Sequence, residues 1–128
     1  MALPEEVINS RRVPRLGPYS QAVRVGNLVF TAGQAGIDPA TGQSAGPTFE
    51  AQARQAFANL RAVLEANGMS VTNLVKTTVF LTDRSLLASF RAARDAVYGG
   101  HAPCSTLLFV AGLADPRFMV EIEAEAVA

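Results

Sequence analysis

In 128 residues the chain has one cysteine, Cys104, one histidine, His101, and no tryptophan. A single cysteine excludes an intrachain disulfide and suits a reducing, cytoplasmic compartment. One Cys and one His cannot complete a zinc site, which needs roughly three or four protein ligands, and no metal or other cofactor is expected. Lysine occurs once, at Lys76, among 11 basic residues, which 11 acidic ones balance. Zero net charge weighs against a nucleic-acid partner, whose binding draws on phosphate neutralisation. Long apolar runs are missing too. None approaches the roughly 20 residues of a membrane helix, so no membrane association is expected. At the N-terminus, Glu5 and Glu6 stand where a secretory leader would be basic.

What is present is an apolar fraction of 49%, enough for the core of one domain spanning residues 1–128. "AVRVGNLVFTAGQ" reads as two strands about a Gly26–Asn27 turn, and "GIDPATGQ" as a second turn. From Thr48 to Gly68, Phe49, Ala53, Phe57, Leu60 and Leu64 recur at spacings of three and four, the stripe of an amphipathic helix. Thr48 is the expected N-cap and Gly68 the stop. "NLVKTTVFL" is a β-branched strand. "DRSLLASFRAARDAVYGG" is a second helix, with Leu86, Leu87, Phe90, Ala93 and Val97 on its apolar side. "STLLFVAGL" and "RFMVEIEAEAVA" are the last two strands. This order predicts an α+β fold, a mixed β-sheet with two helices packed on one face. The other face must meet water or another subunit.

Several residues could carry chemistry. His101 and Cys104 are close in sequence, whereas a Cys/His nucleophile needs a third, orienting group as well. A loop histidine beside a small thiol is the expected outcome. The final strand alternates Glu121, Glu123 and Glu125 with Val120, Ile122, Ala124 and Ala126, so the three carboxylates share one side. A solvated charged face is the ordinary result; a carboxylate lining a cleft is the functional one. Tyr19, in "GPYSQA", lies outside any apolar stripe. Arg91 and Arg94 sit one turn apart on the polar side of the second helix, and Arg91 can pair with Asp95 at i,i+4. They present either a solvated face or a pair of anion-binding forks. These features alone define a soluble α+β domain, without a specific function.

Taken together, "GPYSQAVRVGNLVFTAGQAGIDPATGQ", "QARQAFANLRAVLEANGMSVTNLVKTTVFLTD" and "VEIEAEAVA" resemble, in order, the RidA family, also called YjgF or L-PSP proteins. The resemblance implies a chorismate-mutase-like fold and a homotrimer with small-molecule clefts between subunits. It also implies a hydrolase that converts reactive enamines and imines, such as 2-aminoacrylate, into 2-oxo acids and ammonia. Some relatives are described as endoribonucleases or translation inhibitors. The family's catalytic tyrosine falls on Tyr19. Its last-strand glutamate, which positions or activates water, falls on Glu121. The resemblance further places Ala32, Gly33, Arg91, Cys104, Ser105 and Leu107 around the ligand.

Two departures matter. Ala32 stands where the family often has serine. Pro103 matches the proline of a Pro-x-Arg motif, so Ser105 takes the place of the substrate-binding arginine. Such an arginine grips a carboxylate by two charge-assisted hydrogen bonds. Its loss implies that 2-imino acids are poor substrates here and that the cleft serves another small metabolite. Two alternatives stay open: deamination with Arg91 or Arg94 as substitute anchor, and action on RNA or through a protein partner.

Overall fold

A computed structural model describes residues 5–7 and 18–128. Among the described residues, seven strands form one sheet: β1 (Glu5–Val7), β2 (Ala22–Val25), β3 (Leu28–Thr31), β4 (Gln34–Ala35), β5 (Leu74–Leu81), β6 (Cys104–Phe109) and β7 (Val120–Val127). Helix α1 spans Phe49–Ala66 and α2 spans Leu87–Tyr98. The spatial order is β1-β2-β3-β7-β5-β6, with β4 also paired to β7. Among these strands only β5 and β6 run parallel, joined through α2; their other pairings are antiparallel. The expected α+β class and mixed sheet are present.

Local chemistry explains the boundaries. The Thr48 hydroxyl accepts from the Ala51 N–H at 3.3 Å, capping α1. Asn67 and Gly68 end it, their N–H groups donating to Leu64 and Glu65 carbonyls. Before α2, the Asp83 carboxylate accepts from the Ser85 N–H at 2.8 Å, and Gly99 closes the helix in the left-handed region at φ 57°. The core joins both helices to the inward residues of β5 and β7. Phe57 stacks on Phe90 at 5.8 Å and meets the edge of Tyr98 at 5.7 Å. Val120, Ile122, Ala124 and Ala126 are buried beneath the helices, as their alternation predicts.

Some boundaries differ from expectation. β1 and β4 are additional strands, too short to show periodicity of their own. β6 stops at Phe109, where the parallel pairing with β5 ends and Val110 donates to the Leu81 carbonyl. β7 starts at Val120, not Arg117, because residues 115–119 are drawn into a separate loop. There Arg117 makes three bonds to the Asp115 carboxylate, by its backbone N–H, Nε and Nη2. Its Nη1 reaches Gln43.

Polar side chains on α1 hold the layers in register. Gln52 Nε2 donates to the Gly46 and Arg117 carbonyls at 3.1 and 2.9 Å, while its Oε1 accepts from the Met119 N–H. Asn59 Nδ2 donates to the Ala35 and Ile37 carbonyls at 3.1 and 2.9 Å. Both side chains belong to residues at least 98% buried, so these bonds satisfy groups that water cannot reach.

Candidate functional site

The segment between β3 and β4 builds the first cleft. β3 pairs with β7 as far as Phe30↔Glu125. The Thr31 hydroxyl then accepts from the Ala124 N–H at 3.0 Å, and the Ala32 N–H turns to the Gln21 carbonyl at 2.8 Å. The chain rejoins β7 at Gln34↔Ile122 and Ala35↔Glu121. The break leaves Ala32 and Gly33 beside the Glu121 side chain. With Tyr19, Ala114 and Phe118 they line an open cleft of about 380 Å³.

Gly33 is placed by sterics. A Cβ there would overlap the Glu121 carboxylate, lying 2.7 Å from its Cδ and 2.9 Å from its Cγ. The missing side chain is therefore what lets the carboxylate lie against the backbone. Burial, and secondarily the Glu123 carboxylate, push the Glu121 carboxyl above its ordinary value. A half-buried glutamate of this kind can take and return a proton nearer neutral pH than a solvated one.

A pH experiment follows. Gly33→Ala should expel the carboxylate toward solvent and lower its pKa toward the ordinary glutamate value. A carboxyl-carbon NMR titration of Glu121 measures this; an unchanged midpoint in the variant would show that the close approach does not control the group. The sign for stability is also set. A folded-state pKa above the unfolded one stabilises below the unfolded pKa, and the benefit disappears as pH rises through the folded value.

A second cleft, of about 550 Å³, lies between the C-terminal part of α2 and the start of β6. Arg94, Asp95, Tyr98, His101, Pro103 and Ser105 are in its wall. His101 Nε2 donates to the Leu74 carbonyl at 2.8 Å, which ties the loop to β5. The imidazole thus has a structural bond, and the Cys/His arrangement is not built. Burial pushes the Tyr98 hydroxyl up, against a hydrogen bond with Thr77 and the nearby Arg94 charge.

The candidate residues therefore divide. Tyr19, Ala32, Gly33 and Glu121 share the first cleft; Ser105 lies in the second. Cys104, Leu107 and Arg91 line neither. Cys104 is exposed and pairs with Lys76, on the sheet face opposite Ser105. Leu107 packs against the core. Arg91 is exposed on α2. The i,i+4 pair of Arg91 with Asp95 gives way to one between neighbours: Arg94 Nε and Nη2 both lie 2.9 Å from Asp95 Oδ1. Gln52, which secures the loop carrying Phe118, was not among the candidates. Its signal is a polar residue at a core position of α1, in register with Ala56, Asn59 and Val63.

Comparison with known proteins gives these clefts a context. Residues 10–128 match the family model described as Endoribonuclease L-PSP. The chain belongs to the RidA/YjgF/L-PSP family. A 2-iminobutanoate/2-iminopropanoate deaminase of Salmonella typhimurium is 41% identical over 116 residues, 88% of either chain. A RutC family protein of Pyrococcus horikoshii is 38% identical over 122 residues, covering 94% of this chain and 95% of that protein. The crystal structure of RidA from the Antarctic bacterium Psychrobacter sp. superposes with a TM-score of 0.91 at 38% identity, covering 96% and 99% of the two chains. The RidA fold is thus established for this chain, with two helices on a mixed sheet.

Proposed function

We propose that this RidA-family protein is a homotrimer whose ligand site forms where the Glu121 cleft of one subunit meets the Ser105 cleft of the next. In this reading Glu121 acts on the attacking water, with Tyr19 and the Gly33 backbone orienting the ligand. The observation that carries it is the close packing of the Glu121 carboxylate on Gly33, in a cleft shared with Tyr19. The sheet face away from the helices supports assembly. Phe30 and Leu108 lie 43% and 45% exposed there, beside Lys76, Glu123 and Glu125. These two apolar side chains stand three strands apart among charged neighbours, so what supports assembly is an uncovered sheet face that carries single exposed apolar groups.

The metabolite is one other than the short 2-imino acids, because Ser105 offers only a neutral hydroxyl where a carboxylate would need a cationic fork. An RNA substrate is disfavoured by zero net charge. The test generates 2-iminopropanoate with an amino acid oxidase and traps the remaining imine with semicarbazide. The expected result is trapping unchanged by the protein. Clear loss of trapped imine on adding the unmodified protein would overturn the substrate assignment. Light scattering checks the assembly, with a mass three times that of one chain as the expected value.

A further inference from the structure

We infer that His101 is a ligand-binding residue, a fixed hydrogen-bond acceptor in the wall of the cleft between α2 and β6, and that the group it receives is a primary carboxamide. The inference rests on the reading of this cleft as half of the ligand site, and it names the ligand class that the reading leaves open: neutral, with N–H groups to donate.

The tautomer carries the argument. A backbone carbonyl can only accept, so the 2.8 Å bond to Leu74 fixes the ring hydrogen on Nε2. The neutral imidazole then presents Nδ1 as an acceptor, because the bond made by one ring nitrogen sets the role of the other. His101 is partly buried in the cleft wall, and Nδ1 has no partner among the described residues. The tie to β5 holds the ring before any ligand arrives, which lowers the ordering cost of binding.

The neighbouring groups favour the same ligand. Asp95 Oδ1 takes Arg94 Nε and Nη2, each at 2.9 Å, so the helix wall carries a paired charge and no net one. Asp95 Oδ2 has no partner among the described residues and is a second acceptor. The Tyr98 hydroxyl is bonded to Thr77. Ser105 is exposed, and its hydroxyl has no partner among the described residues. A primary carboxamide answers this set, with N–H groups for the acceptors and a carbonyl oxygen for the serine hydroxyl. A carboxylate brings no hydrogen to Nδ1 and sets its charge against Asp95. The neutral serine at 105 and the acceptor at 101 therefore select in the same direction. The cleft, at about 550 Å³, is of a size that accommodates a small molecule.

The probe is 2-oxopropanamide, titrated into the full-length protein at about pH 8, where an ordinary imidazole is neutral. Methyl 2-oxopropanoate, which lacks the N–H groups, and sodium 2-oxopropanoate are the comparison ligands. His101 is the only histidine in the chain, so its two ring nitrogens are read directly by nitrogen NMR; the Glu121 carboxyl carbon is followed alongside. The expected result is an Nε2–H tautomer in the free protein and a saturable shift of Nδ1 with the amide. The ester and the carboxylate should each bind about ten-fold more weakly, the worth of one hydrogen bond. Ser105→Ala should weaken the amide and the ester alike. His101→Phe should abolish the preference between them; if that variant does not fold, the ligand comparison on the unmodified protein decides. An Nδ1–H tautomer, or ester or carboxylate binding as tight as the amide, would overturn the inference. Should Glu121 respond to the amide while Nδ1 does not, the ligand-site reading stands and the acceptor is wrong. A response at Nδ1 alone supports the acceptor and contradicts the joint site. No response at either group overturns the inference and leaves the joint site to the imine-trapping and light-scattering tests.

Discussion

Gly36→Ala is expected to lower the melting temperature by about 10 °C or more. The cause is backbone against backbone. A Cβ on Gly36 would lie 2.5 Å from the Gln52 carbonyl oxygen, 2.6 Å from its Cα and 2.9 Å from its carbonyl carbon. None of these atoms can rotate away, since all belong to the main chain of α1. Nor can the segment retreat easily. Asn59 holds the carbonyls on either side, those of Ala35 and Ile37, and the Ala45 N–H donates to the Gly36 carbonyl at 2.8 Å. Relief must therefore come from lifting the helix off the sheet or breaking buried hydrogen bonds. Overpacking of this kind costs roughly 3 kcal/mol or more. At about 3–5 °C per kcal/mol for a chain of this size, that gives the stated fall. Gly112→Ala is the matched control: nothing lies within 4 Å of the added carbon and its φ is ordinary. It should melt within about 2 °C of the parent. Equal melting of the two variants by circular dichroism would refute the tight contact.

The segment from Gly33 to Ile37 also explains why part of the site was legible in the sequence and part was not. The alternation of Glu121, Glu123 and Glu125 correctly put three carboxylates on one side of β7. It could not rank them, because the residue types and spacing are identical. The ranking comes from β4, a two-residue strand that exists only by pairing with β7 and by being held down by Asn59. Ala35 stands opposite Glu121, and Gly33 meets its carboxylate, whereas Glu123 is exposed. No local period reveals such a strand.

Arginine placement shows a similar limit. Arg91 and Arg94 are separated by nearly one helical turn, so periodicity assigns them to similar faces. What separates them is the path of the chain after α2. Gly99 and Gly100, at φ 57° and 99°, turn it so that His101 to Ser105 pass beside Arg94. Helix limits, by contrast, were legible because they depend on neighbours in sequence: Thr48 capping Ala51, and Gly68 after the last apolar position.

Ser105→Arg is the second large effect, and its direction is a gain. Hydrolysis of 2-iminopropanoate, followed by semicarbazide trapping, is expected to rise by about 30-fold or more in kcat/KM. The estimate takes the roughly 2–5 kcal/mol attributed to a buried charge-assisted pair, which corresponds to about 30- to 4,000-fold. Position 105 is suited to the change. It lies at the second residue of β6, paired with buried Thr77, so the backbone is fixed while the side chain borders open volume. Lysine at the same position should recover much less, because it provides a point charge where the substrate carboxylate needs a fork. Adding Glu121→Gln to the Ser105→Arg protein should remove the gained activity, since the new contact binds substrate but moves no proton. Arg94 provides a further check. If both guanidiniums approach one carboxylate, the effects of Arg94→Ala and Ser105→Arg will not add, and a double-mutant cycle will report their coupling. A folded Ser105→Arg protein that leaves trapping unchanged would show that an arginine at position 105 does not by itself confer deaminase activity on this cleft.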